Sequence, residues 1–154
     1  MRRAAELAAI RNAYRVLVVL WAGSLWSLAL WVAPTLFFAQ PDRHLAGLLA
    51  ARLFAVETYV GLAVAVWGLA LPGRGQLRGI YIAVALLAIN EWIVKRLMEQ
   101  AHAQGAVIGL SFGAWHGVAQ FGYLIACLLV LWAVWRGGAD HSGSSTLASP
   151  SPRR

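Results

Sequence analysis

A chain of 154 residues that is 60% hydrophobic and only 12% charged cannot hide its apolar side chains inside a soluble domain. Such domains carry roughly a quarter charged residues, so a bilayer is the solvent this composition fits. The formal charge of +7 forms no basic stripe interleaved with polar residues but sits at the ends of apolar runs and in the tails. That pattern excludes nucleic acid as a partner and points to lipid phosphates.

Met1 to Arg15 is polar and carries Arg2, Arg3, Arg11 and Arg15, with Leu7, Ile10 and Tyr14 at helical spacing. It reads as a basic N-terminal segment forming a short interfacial helix. A near-continuous apolar run, Val16 to Phe38, supplies the about 20 residues that a span requires. It is longer than the apolar part of a signal peptide, about 7–15 residues, and no small-x-small cleavage site follows. The second span covers about Leu45 to Leu71, closed by Pro72-Gly73. The loop Gly73 to Arg78 leads into a third span, about Gly79 to Val94, which ends at Lys95-Arg96. Met98 to Gly105 is a polar connector able to continue the helix briefly. The fourth span runs roughly from Val107 to Trp135, and Arg136-Gly137-Gly138 ends it. The residues from Gly137 to Arg154 are rich in Ser, Pro and Gly and are expected to be a disordered tail.

The expected fold is therefore an all-α, four-helix transmembrane bundle over 16–136, between a basic segment, 1–15, and the tail, 137–154. Four spans put both termini and the middle loop on one side. That side carries Arg2, Arg3, Arg11, Arg15, Arg74, Arg78, Arg136, Arg153 and Arg154, against Arg43, Lys95, Arg96 and the nearby Arg52 on the other. The positive-inside rule then makes both termini cytoplasmic.

Counting about 20 residues from each cytoplasmic anchor places Arg52 and His116 at the outer boundary, with Glu91 and Glu57 inside it. A carboxylate in the membrane needs a partner, water or a proton, which makes Glu57 a candidate proton or cation site or else a hydrogen-bonded packing residue. Arg52 points about 140° away from Glu57 on the same helix, so it snorkels rather than pairs. Glu91 stands four residues before Lys95, the favourable order for an ion pair, and Asn90 suits an interhelical hydrogen bond. His116 is the one candidate metal or haem ligand, and no second membrane histidine accompanies it. No soluble catalytic motif, phosphate loop or paired-cysteine metal site is present, and the residues call for no cofactor. Cys127, the single cysteine, lies in an apolar run and reads as a packed thiol.

Gly109, Gly113, His116, Gln120, Tyr123 and Cys127 share one face of the fourth helix, and Gly109, Gly113 and Gly117 repeat every fourth position. Gly61 lies on a small-residue face of the second helix, and Gly23 with Ser27 on the first. Such faces let helices approach closely. The three are expected to meet inside the bundle, bringing Glu57 towards His116 and Gln120.

The run Trp21-Ala22-Gly23-Ser24, then Ala33-Pro34-Thr35-Leu36-Phe37, then Ala46-Gly47 and Arg52-Leu53-Phe54 resembles the transmembrane protein 205-like family. Phe112-Gly113-Ala114-Trp115-His116-Gly117 resembles the last helix of that family. The resemblance covers about Leu17 to Trp132 and implies a four-helix membrane domain without an agreed activity. It is also distantly similar to membrane proteins that handle copper or haem, a fold-level analogy.

Three functions compete on this reading. The first is an accessory or interaction protein, oligomeric through its glycine faces. The second is proton- or cation-coupled transport of a small solute at Glu57. The third is a haem- or copper-handling protein anchored on His116. The Ala-, Gly- and Arg-rich composition suggests a bacterial inner membrane.

Overall fold

The computed structural model describes residues 2–71 and 77–142. Pro72, Gly73 and Arg74 of the expected stop and loop, and the tail from 143 onward, lie outside the described residues. The chain forms helical rods in the order α1 (Arg2–Ser27), a π turn (Leu28–Val32), α2 (Ala33–Ala39), α3 (Arg43–Leu69), α4 (Arg78–Ile89), a second π turn (Asn90–Val94), α5 (Lys95–Gln104) and α6 (Phe112–Ser142). With α1–α2 and α4–α5 each continuous through its π turn, the architecture is the expected all-α bundle of four helices.

Each helix boundary has a local cause. The segment up to Arg15 does not form a separate interfacial helix, because nothing in it breaks the ladder and α1 runs straight into the apolar run. Pro34 has no N–H to bond the carbonyl of Leu30, and the register loosens just before it: the Ala33 N–H bonds the Leu28 oxygen, one residue further back than in an α-helix. Asp42 starts α3 two residues earlier than hydropathy suggests, its carboxylate accepting from the N–H of His44 at 2.8 Å and of Leu45 at 3.2 Å. Gly105, at φ +88°, ends α5 with its N–H on the Ala101 oxygen.

The expected start of the fourth span at Val107 is overturned. Val107 and Leu110 exchange backbone hydrogen bonds across a two-residue turn in which Ile108 has φ +53° and Gly109 φ +72°. α6 begins only at Phe112, with the Ser111 hydroxyl accepting from the Ala114 N–H at 3.4 Å. At its other end α6 continues through Gly137 and Gly138 to Ser142, past the expected stop.

Among the described residues three rods are long and apolar enough to cross a membrane: Ala5–Ala39, Arg43–Leu69 and Phe112–Arg136. The third rod, α4–α5, is not among them. Its apolar part is short, and Glu91, Lys95, Arg96 and Glu99 load its second half.

Close contacts fix the antiparallel arrangement. Gly68 near the end of α3 meets Tyr14 of α1 and Tyr81 of α4, and Gly79 at the start of α4 meets Leu129 and Trp132 of α6. The start of α1, the end of α3, the start of α4 and the later part of α6 therefore share one end of the bundle. Trp21, Leu25, Val64, Leu87, Cys127 and Val130 are almost wholly buried between the rods, while Trp31, Phe38, Phe121 and Trp135 stand exposed on the apolar outside.

Candidate functional site

A polar contact inside the bundle joins α1 to α3. Ser24 lies one turn after Trp21 on α1, and Glu57 lies one turn before Gly61 on α3. Gly61 has no side chain, so the Trp21 indole packs directly on the α3 backbone; a Cβ built there would stand 2.5 Å from Trp21 Cζ2. That approach brings Trp21 Nε1 within 3.3 Å of the Glu57 carbonyl oxygen, to which it donates. It also places Ser24 Oγ 3.0 Å from Glu57 Oε2. The same hydroxyl stands 2.8 Å from the Trp21 carbonyl oxygen, one turn back on its own helix.

α6 closes the other side. Tyr123 donates its hydroxyl to the Leu25 carbonyl at 3.1 Å, and its ring meets Phe54 edge-on at 4.7 Å between centroids. Phe54 is one turn from Glu57. Tyr123 and the buried thiol of Cys127 stand within electrostatic reach of the Glu57 carboxyl. Glu57 and Ser24 are half-buried, so the group is bounded by protein without being sealed in the core.

The other candidates lie elsewhere. His116 and Gln120 are exposed on α6, with the two Nε2 atoms 3.1 Å apart. His116 stacks on Phe112 at 6.2 Å, and Phe112 meets His102 at 5.2 Å. Glu57 does not approach this group: α6 turns Tyr123 and Cys127 inward, and His116 and Gln120 outward. Arg52 is exposed on α3. Glu91 and Lys95 pair at 2.8 Å, and the neighbouring Asn90 amide donates to the Ala119 carbonyl at 3.1 Å, tying the second π turn to α6.

The expected convergence of three glycine faces is not the arrangement found. Gly61 is in the interior, whereas Gly23, Ser27, Gly113 and Gly117 are exposed; a Cβ on Gly23 or Gly117 would meet nothing within 4 Å. Gly109 is not on the helix at all but in the turn before it. Sequence reasoning missed Ser24 and Trp21 as the partners of Glu57. Their spacing from Glu57 could not show it, though a tryptophan opposite a glycine one turn from a membrane carboxylate is a pattern worth testing.

Among the described residues no three His, Cys, Asp or Glu side chains gather where a metal ion could sit. One surface depression is lined by Leu30, Trp31, Pro34, Thr35 and Phe38 on the first rod, remote from Glu57 in sequence and apolar in character.

Residues 16–107 match the family described as a domain of unknown function, DUF4149. The chain belongs to this DUF4149 family. The match begins midway along α1 and ends in the turn after α5, so it takes in Trp21, Ser24, Glu57 and Gly61 and leaves α6 outside. No curated protein matches the chain. No solved structure matches it either. The apolar helices, and not the family's description, carry the membrane character, the activity stays undetermined, and nothing in the match ties the chain to the transmembrane protein 205-like family.

Proposed function

We propose that this DUF4149 protein is a small polytopic membrane protein that works as an accessory or interaction protein. The observation that carries the reading is the filled interior. Trp21 lies on Gly61 and Tyr14 on Gly68, and these approaches continue through Leu25, Val64, Leu87 and Val130. Side chains packed in this way favour a role on the outer surface over conduction through the middle. The exposed glycines of α6, Gly113 and Gly117, give a second rod room to approach, which supports a homo-oligomer in the bilayer.

The test is the stoichiometry of the protein in lipid nanodiscs, counted by native mass spectrometry across a dilution series. Assembly that disappears in Gly113→Leu, with the helical spectrum unchanged, supports the reading. A monomer at every protein-to-lipid ratio removes the oligomer.

A second reading, proton- or cation-coupled transport of a small solute, is favoured by the half-buried Glu57 and its Ser24 partner. Under it, Glu57→Gln abolishes pH-dependent flux in proteoliposomes, and unchanged flux ends it. No observation favours haem or copper handling.

The excess of arginine at the end holding Arg2, Arg3, Arg11, Arg15, Arg78 and Arg136 supports cytoplasmic termini. The composition supports a bacterial inner membrane. The motifs Trp21-Ala22-Gly23-Ser24 and Ala33-Pro34-Thr35-Leu36-Phe37 support a relationship to the transmembrane protein 205-like family. Reporter fusions at each terminus test the orientation.

A further inference from the structure

The contact between Ser24 and Glu57 has a proton count. A serine hydroxyl has one hydrogen to give and two lone pairs to receive. Ser24 Oγ stands 2.8 Å from the Trp21 carbonyl oxygen and 3.0 Å from Glu57 Oε2, and both neighbours are acceptors if Glu57 is ionised. One hydrogen shared between two acceptors makes two weakened bonds. The shorter contact is the one to the helix carbonyl, which has no hydrogen of its own. Both bonds form at full strength only when the second hydrogen comes from the carboxyl: Glu57 Oε2–H donates to Ser24 Oγ, and Ser24 Oγ–H donates to the Trp21 oxygen.

We propose that Ser24, Trp21 and the Glu57 carboxyl form a proton-binding site in the membrane, occupied when a carboxylic acid at Glu57 donates to Ser24. Binding takes one proton from the aqueous phase and forms the Oε2–H bond, and the charge of the side chain goes from −1 to zero. The Ser24 hydroxyl rotates about Cβ–Oγ, releases the carboxylate and bonds the Trp21 carbonyl; no covalent bond breaks. Loss of the proton reverses both movements.

The surroundings suit a neutral occupant. Trp21 gives its indole N–H to the Glu57 backbone oxygen at 3.3 Å. From α6 the titratable groups facing the site are Tyr123, whose hydroxyl is already given to Leu25, and the thiol of Cys127. In the third rod Glu91 and Lys95 are closed on each other. An ionised Glu57 would be held by the Ser24 hydroxyl and the neighbouring Trp21 indole N–H alone, in a setting where a carboxylate short of partners is costly. The site stands apart from the oligomer reading and would serve the transport reading. It can fail without touching either, because its test follows the proton and neither assembly nor flux.

The experiment is infrared difference spectroscopy of the full chain in nanodiscs at neutral pH, wild type minus Glu57→Gln. The expected result is a carboxylic-acid carbonyl band present in the wild type and lost in the variant. Ser24→Ala is the second variant: it removes the acceptor, so the acid band persists but shifts to the position of a carbonyl whose O–H is not hydrogen-bonded. A difference spectrum showing only carboxylate bands for Glu57, or an acid band that Ser24→Ala leaves unmoved, overturns the proposal. Should Glu57→Gln fail to fold, wild type minus Ser24→Ala reads the same shift.

Discussion

Trp21 packs against Gly61, a position on α3 where the backbone is bare. Everything polar that joins α1 to α3 depends on that approach, because the indole N–H and Ser24 reach Glu57 only while the two helices are this close. Gly61→Ala would put a Cβ 2.5 Å from Trp21 Cζ2 and force the rods apart, and should cost about 1–3 kcal/mol. Gly23→Ala is the matched control, since nothing lies within 4 Å of its Cβ; a helical Gly→Ala change there should be neutral or stabilise by about 0.5–1 kcal/mol. Reversible unfolding in mixed micelles separates the two. Equal effects at both sites would mean the close approach is not what holds α1 to α3.

How far the sequence reveals this arrangement depends on what each residue type encodes. Runs of apolar residues between arginines are a one-dimensional signal of spanning; they located α3 to within two residues and the apolar parts of α1 and α6, but not where those two helices begin. The inward face is harder to read in lipid. Both faces of a membrane helix are apolar, so hydropathy does not say which glycine is covered: Gly61 is packed and Gly113 is bare, although both lie in similar small-residue patterns. Glu57 was visible as a costly group, but its partners Ser24 and Trp21 are distant in sequence and ordinary in type. The turn at Ile108-Gly109 escaped notice because an isoleucine at positive φ carries no turn signature.

The two buried tyrosines make a second contrast. Tyr123 donates to the Leu25 carbonyl, whereas the Tyr14 hydroxyl is buried without a hydrogen-bond partner. Tyr123→Phe should therefore cost about 0.5–1.5 kcal/mol through the lost bond. Tyr14→Phe removes an unsatisfied polar atom and should be neutral or stabilising. It also keeps the edge-on contact with Trp67 at 6.2 Å. Thermal unfolding of the two variants side by side decides; a larger loss for Tyr14→Phe would mean that its hydroxyl has a partner in the bilayer.

Glu91 and Lys95 form an i, i+4 pair with the acid on the N-terminal side, and the Lys95 side chain is 36% exposed. Solvent and headgroups screen such a pair, so Lys95→Met should cost no more than about 0.5 kcal/mol. Asn90→Ala, one position away, removes the bond to the Ala119 carbonyl that ties the π turn to α6 and should cost about 0.6 kcal/mol, with about 1.7 as the upper limit. Hydrogen exchange resolves them further: Asn90→Ala should raise exchange in the second π turn, and Lys95→Met should not. Raised exchange in both would assign the ion pair a structural role that its geometry does not support.

The turn before α6 offers a stabilising change. Ile108 has φ +53°, a conformation in which a β-branched side chain crowds its own backbone, and its side chain is 78% exposed and gains little from packing. Holding a non-glycine residue there costs on the order of 1–3 kcal/mol, so Ile108→Gly should recover part of it and raise stability by about 1 kcal/mol. Gly109→Ala, at φ +72°, works in the opposite sense and should lower stability by a similar amount, although a Cβ there would touch nothing. The pair separates backbone strain from packing, since neither side chain has neighbours to lose. Unfolding midpoints that move in opposite directions are the expected outcome. If both variants destabilise, the Ile108 side chain is held by something other than this chain, and the exposed end of α6 would be where to look for it.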